Sequence, residues 1–548
     1  MRLCSDENPI VSDLTRRCDC LVLGYQGTLR PDPDHSANAP AATDAAPCIR
    51  EFPLEPWLTG ALRELNLRVS AEQRDFGGEG VDLGALIEAL RLRLRGMLTQ
   101  VLAVCPATTE ESLLRSYPAL AALMKGAAAE WVDAIAVFLE RLHGDAARLA
   151  AWLGYAKLPG LTSLTAASSD AHAGGHQVLR LLFRDGRCIY YKPRAVSGEW
   201  LWDELVHAVN AHSSLRLASA GALAGTNGRY GWVVSLLPHA ELRDWDKDSA
   251  QASEYWHAAG ATLCLAEHVK MTDLHMANVM ATCGGPALFD AESLGTPRAV
   301  SDTRMRRGAE PAIATAIDDL LDSGLLPGHD SGGLPETSGL FGKAAAVPEI
   351  LVPCWSPRAG GGQQLDMVPA ALVDHGNSPP GITPVEVLPL LVSGYREAAT
   401  ALMRCRDSLV SPRSAWRLTL EHAHAPRMVL RDTLTYGILL SRSLRPEQLR
   451  SAQHRRIALR SALQGHGPRA LPEAVLRTEV RTLLHLHIPR FTALPGSRTL
   501  AGSSGRALAP RFLACSPAEA VLRKMGELSP QRLSEVNVPG LLLTVLRQ

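Results

Sequence analysis

From about Leu54 to Leu153 apolar residues recur with helical spacing, most strongly in two segments. One holds Leu83, Leu86, Ile87, Leu90, Leu92 and Leu94. The other holds Trp131, Ile135, Phe138, Leu139 and Leu142, at a period of about 3.6 residues. Residues 51–155 are therefore predicted to form a helical N-terminal subdomain. Ahead of it, 1–50 is predicted to be a poorly ordered arm, because Arg30 to Cys48 is mostly Pro, Asp, Ala and Asn and has little to bury.

The pattern shortens near residue 175. Val178 to Phe183, an Arg-Asp-Gly-Arg turn, then Cys188 to Tyr191 predict a hairpin. A helix is expected over Glu199–Val209, a strand over Trp232–Leu237 and a helix over Ser249–His268. Val279 to Leu288 reads as a short hairpin around Cys-Gly-Gly-Pro. Residues 324–384, rich in Gly, Pro and Ser, are expected to be long loops. Helices are expected to resume from about Val385 to Arg406 and to recur to the C-terminus, broken by a Pro-Gly turn at Pro495. The expected organisation is the arm, the helical subdomain, a core over 156–310, and a loop-rich and helical part over 311–548. No internal repeat is visible.

Composition narrows the classes. A 46% hydrophobic content with 20% charge is ordinary for a soluble globular chain. The net charge of zero gives no overall field for nucleic acid or a membrane surface, so neither is expected as a partner. No apolar run is long enough to span a bilayer. The 11 cysteines are scattered, none with zinc spacing, and no signal peptide precedes them. The cytoplasm is the expected compartment, and no zinc is expected.

Candidate chemistry lies in the order of four residues. Lys192 ends an apolar strand; Asp273 is followed five residues on by Asn278; Asp290 ends another apolar strand. A phosphoryl-transfer site of the protein-kinase kind needs a lysine on the nucleotide phosphates and an Asp at the acceptor hydroxyl. It also needs an Asn and a second Asp on magnesium. Taken singly, Lys192 is a surface lysine, Asp273 a helix cap and Asp290 a turn residue; their order favours the site. A carboxylate from the next helix, Glu199 or Glu204, is expected to hold Lys192. No glycine-rich phosphate loop is present, which argues against an ordinary protein kinase.

Seven motifs in one order resemble the dehydratase region of class II lanthipeptide synthetases, over roughly residues 150–545. They are Asp170-Ala-His172, Tyr191-Lys-Pro-Arg194, Tyr230-Gly-Trp232, Asp273-Leu-His-Met-Ala-Asn278, Phe289-Asp-Ala-Glu292, Arg427 to Thr433, and Ile488 to Ser497. The resemblance implies an α+β fold: a lipid/protein-kinase-like bilobal core with extensive helical additions at its N- and C-terminal sides. It implies phosphorylation of Ser and Thr in a ribosomal precursor peptide with ATP and magnesium. Elimination of phosphate to dehydroalanine or dehydrobutyrine then follows. It assigns Lys192, Asp273, His275, Asn278 and Asp290 to phosphorylation, with Asn278 and Asp290 on the metal. Arg427 and Thr433 are assigned to elimination, with Asp170 and His172 at the same site.

Three departures stand out. Ala277 occupies a position usually held by Glu, and His487 one where Asp is expected. The cyclase's Cys and His zinc ligands are missing. The expectation is a dehydratase without the cyclase, working on a leader-bearing precursor: either a separate cyclase or lyase acts beside it, or the product keeps its dehydroamino acids unringed, or this is an excised fragment. A peptide or small-molecule kinase that does not eliminate, and a non-catalytic leader-binding scaffold, are the two alternatives.

Overall fold

The helical stretch forms where its apolar spacing predicts. A computed structural model describes residues 29–31, 52–76, 79–102, 109–167, 174–236, 249–301, 311–328, 336–342, 346–357, 363–372, 377, 382–465, 471–535 and 537–546. In it α1 spans Glu55–Arg68, α2 Gly84–Leu102 and α3 Pro118–Leu153. A proline in the first turn starts α3, and Gly154 at φ 78° ends it in the left-handed conformation that helix C-termini favour. Of the expected N-terminal arm, Leu29–Pro31 is strand β1; the rest of 1–50 lies outside the described residues.

A five-stranded antiparallel sheet follows, built from β2 (Leu161–Ala166), β3 (Leu179–Phe183), β4 (Cys188–Lys192), β5 (Ala222–Ala224) and β6 (Gly231–Val234). Its order is β2-β3-β4-β6-β5. The Asp-Gly turn forms as expected, with Gly186 at φ 85° and its N–H donating to Phe183 O. β2 carries no clear alternation, since only Leu164 of its six residues is buried, and so it escapes pattern reading. On β3 Leu179, Leu181 and Phe183 alternate into the core, joined by Ile189 and Tyr191 of β4. α3 covers that face. Phe138 meets the Tyr191 ring at 5.1 Å, and the buried Asp145 carboxylate accepts from Trp232 Nε1 at 2.9 Å.

Beyond the sheet come α4 (Ser197–Ala211) and α5 (Ala250–His268), the latter capped by Ser249, whose hydroxyl accepts from Ala252 N. The hairpin β7 (Val279–Thr282) and β8 (Gly285–Leu288) forms as expected. α6 is Pro311–Asp322 and α7 Leu388–Leu409. α5 and α7 cross in contact because each has a glycine at the crossing. A Cβ on Gly260 would meet Leu391 O at 2.0 Å, and one on Gly394 would meet His257 O at 1.7 Å.

Two expectations are corrected. The region 324–384 holds a long hairpin, β9 (Ala346–Pro357) and β10 (Gln363–Leu372), which with β1 makes a sheet of order β1-β10-β9. Its prolines imitate a loop composition, but they are accommodated near a register shift and on the outer strand β9. The C-terminal part is not wholly helical either. Alongside α8 (Thr433–Ser443) and α9 (Glu473–Leu484) it contains a sheet of order β11-β12-β13-β14: Arg427–Met428, Phe491–Ala493, Leu500–Gly502 and Ala507–Ala509. Strands of two or three residues are too short to show a period. Pro495 lies in the turn between β12 and β13, where Gly496 has φ 60°.

Among the described residues two apolar cores are large, beside a smaller one under the C-terminal sheet, with Met428, Val475 and Phe491. One joins α1–α3, the covered sheet face and Tyr436, Leu439 and Leu440 of α8; the other lies around α4, α5 and α7. The fold is thus of mixed helix and sheet, α+β. Among the described residues no helix is long and apolar enough to cross a membrane.

Candidate active site

Strand alternation sends Tyr191 into the first core and Lys192, the next residue, to the opposite face. There Lys192 is 5% exposed, and its ammonium donates to Glu199 Oε1 at 2.8 Å and Phe289 O at 2.7 Å. Glu199, from the first turn of α4, is therefore its carboxylate partner. Asp290 Oδ1 lies 3.9 Å from the same ammonium. Burying such charges is tolerable only when they are paired.

Arg194, in the bend just after the strand that Lys192 ends, binds three carboxylates. Its Nη2 is 2.7 Å from Glu199 Oε1 and 2.6 Å from Asp290 Oδ1, and its Nε is 3.0 Å from Glu292 Oε2. Burial pushes the Glu199 carboxyl up, but Arg194 and Lys192 outweigh it and bring it down to about 2. For Asp290 burial prevails over the same two cations, and its carboxyl sits above the usual range.

The loop after α5 supplies the next group. Asp273 has φ 62°, a left-handed conformation uncommon for a residue with a side chain. Its carbonyl accepts from Asn278 Nδ2 at 2.8 Å, which ties the two ends of the motif together. His275 Nδ1 accepts from Ala277 N at 3.2 Å, so the departure at Ala277 leaves the loop closed by its backbone. Asn278 O meets Phe289 N at 3.4 Å, joining this loop to the exit of β8.

Arg427, on β11, completes the cluster. Its Nη1 is 2.8 Å from Glu292 Oε1 and 3.5 Å from Asp273 Oδ2, and its backbone N–H donates to Glu292 O at 2.7 Å. Burial lowers the Arg427 guanidinium, but Glu292 and Asp273 more than compensate and raise it above its ordinary value. Lys192, Asp290, Asn278, Asp273 and Arg427 thus belong to one connected set.

Other expected site residues stand apart. Asp170 and His172 lie outside the described residues. Thr433 opens α8, after the cap Asp432 that accepts from Thr435 N at 2.6 Å; among the described residues no hydrogen bond joins Thr433 to Arg427. His487 is 3% exposed and bonded to Glu130 Oε2 of α3 at 3.0 Å, so a carboxylate from another element stands beside it.

Among the described residues no hydrogen bond is made to Asn278 Oδ1 or Asp290 Oδ2, and these two oxygens are the candidate metal donors. No three His, Cys, Asp or Glu side chains converge as a metal site among those residues. Two protein oxygens fit magnesium, which takes its other ligands from phosphates and water.

Sequence reading missed Arg194, Glu292 and Arg490 as members of the cluster. A signal existed for two of them: Arg194 follows Lys192, and Glu292 follows Asp290, by only two positions just past a strand end.

His424 clamps this region from behind. Its Nε2 donates to Leu294 O at 2.7 Å and its Nδ1 accepts from Ser197 Oγ at 2.9 Å, linking the segment after Glu292 to the start of α4. Gly198 keeps the contact close, since a Cβ there would meet Ala291 O at 2.2 Å. Burial pushes the His424 imidazole down from 6.5 to about 4. Its folded value lies below its unfolded one, so its stabilisation is complete above about pH 6.5 and is lost as pH falls toward about 4, by roughly 3 kcal/mol. Chemical denaturation of His424→Gln should show a flatter decline than the wild type between about pH 6.5 and 5. Parallel declines would refute this.

Residues 117–494, more than half of the chain, match the family model described as a domain of unknown function (DUF4135). The chain belongs to that family. No curated protein matches it.

Proposed function

We propose that this protein is a peptide dehydratase of the kind found in class II lanthipeptide synthetases, working in the cytoplasm on a leader-bearing ribosomal precursor. The observation that carries the reading is the connected set of charges joining Lys192 and Asp290 to Arg427 through Arg194, Glu292 and Asp273. The association of the matched family with lanthipeptide synthetase-like proteins supports it. So does the architecture: a lysine on the third strand of a five-stranded sheet, its carboxylate on the following helix, and an Asp–Asn loop after a buried helix. On this reading the core is bilobal and lipid/protein-kinase-like.

In the first half-reaction Lys192 holds the ATP phosphates, and Glu199 and the Phe289 carbonyl aim its ammonium. Asp273 orients the peptide hydroxyl and takes up its proton as oxygen attacks the γ-phosphorus, with ADP departing. Asn278 and Asp290 would hold magnesium, which neutralises charge on the phosphates when bound. In the second, a base removes the α-proton, the Cα=Cβ bond forms, and the Cβ–O bond breaks with its electron pair leaving on phosphate. Arg427 binds that phosphate through charge-assisted hydrogen bonds.

Incubation with precursor peptide, ATP and magnesium should give products lighter by one water per modified Ser or Thr. An unaltered peptide would count against the proposal. A kinase that does not eliminate is the second reading. It is favoured by the engagement of Arg427 Nη1 with Glu292 and Asp273, and a stable phosphopeptide from the wild type would select it.

A further inference from the structure

Arg490 belongs to no role assigned above, yet it points into the same cluster. Its Nε and Nη2 lie 3.2 and 3.0 Å from Glu292 Oε2. It directly precedes β12, where Thr492 pairs with Arg427 of β11. Alternation places Arg490 and Thr492 on one face, so Arg490 is the diagonal cross-strand neighbour of Arg427, within reach for long side chains. Both guanidiniums are largely buried, at 17% and 16% exposure.

Glu292 therefore has a guanidinium on each oxygen from this sheet: Arg427 on Oε1 and Arg490 on Oε2. Arg194 also binds Oε2, at 3.0 Å. One carboxylate cannot use all the donors of three guanidiniums, each of which has five N–H groups. Among the described residues, Arg427 Nε and Nη2 and Arg490 Nη1 make no hydrogen bond. Two rigid forks with spare donors, fixed by a shared carboxylate, suit a tetrahedral dianion better than a single planar carboxylate.

We propose that Arg490 is a second phosphate-binding residue, forming with Arg427 a two-arginine cradle for the leaving phosphate, with Glu292 holding both guanidiniums in position. This deepens the dehydratase reading and rests on it. The cradle would receive the phosphoryl group on the peptide oxygen and retain it as inorganic phosphate after the Cβ–O bond breaks.

The test is calorimetric titration of inorganic phosphate into the full chain, with and without saturating MgADP. Wild-type protein should bind phosphate in the MgADP-loaded state, and Arg490→Gln should weaken that binding at least about tenfold. Equal phosphate affinity in wild type and Arg490→Gln, or no phosphate binding by the wild type, overturns the cradle. Absence of MgADP binding to the wild type instead overturns the dehydratase reading, so the two failures are distinct. If Arg490→Gln does not fold, Arg490→Lys keeps the charge beside Glu292 and loses the fork. A folded Arg490→Lys should bind phosphate several-fold more weakly, and unchanged binding would overturn the proposal.

Discussion

Replacing Lys192 with Met should leave the precursor peptide neither phosphorylated nor dehydrated, with the rate of phosphoryl transfer down by about 10²- to 10³-fold or more. The fold should survive, because Glu199 would keep both hydrogen bonds from Arg194, at 3.2 Å to Oε2 and 2.7 Å to Oε1. An uncompensated buried carboxylate would be the main source of instability, and Arg194 prevents it. The experiment is mass spectrometry of the peptide beside a thermal melt of the variant. Normal phosphorylation by a folded Lys192→Met protein would rule out the assigned nucleotide site.

Replacing Arg427 with Ala should change the product rather than abolish reaction. The peptide should accumulate one phosphoryl group heavier at each modified residue, because the phosphorylating residues remain and the phosphate grip is lost. Loss of one preorganised donor to a departing oxyanion is expected to slow elimination by about 10²- to 10³-fold. Here too the neighbours protect the fold: Glu292 would retain Arg194 at 3.0 Å and Arg490 at 3.0 Å. Full dehydration by Arg427→Ala would show that Arg427 serves only to neutralise Glu292 and Asp273. Coupling through the shared carboxylate makes the effects of an Arg427–Arg490 double substitution non-additive, since both guanidiniums lean on Glu292.

Much of this arrangement was legible along the chain. Lys192 ends β4, Asp273 lies in the loop after α5, Asn278 directly precedes β7 and Asp290 follows β8, so each is placed by a neighbouring element whose period is readable. Alternation in Cys188–Lys192 already says that Lys192 faces away from Tyr191. Apolar periodicity also marks α2, α3 and α5, because each buries one continuous stripe or is buried on all sides.

The short strands around Arg427 and Arg490 left no such mark, and prolines disguised the hairpin at 346–372. Glu199 and Glu204 are equally good partners for Lys192 on paper; α4 places the first of them beside β4. His487 gains the acid its motif lacks from Glu130, which lies on a helix more than three hundred positions away.

Local order along the chain is set by side-chain period and turn chemistry, and so the sequence alone determines the strand that carries Lys192 and the elements that flank Asp273, Asn278 and Asp290. Pairing between buried charges depends on distances across elements, which no local pattern encodes. Only the tertiary structure decided that Glu292 would gather Arg194, Arg427 and Arg490. It did so because a carboxylate removed from water must find cations wherever the packing of β4, β8, β11 and β12 brings them.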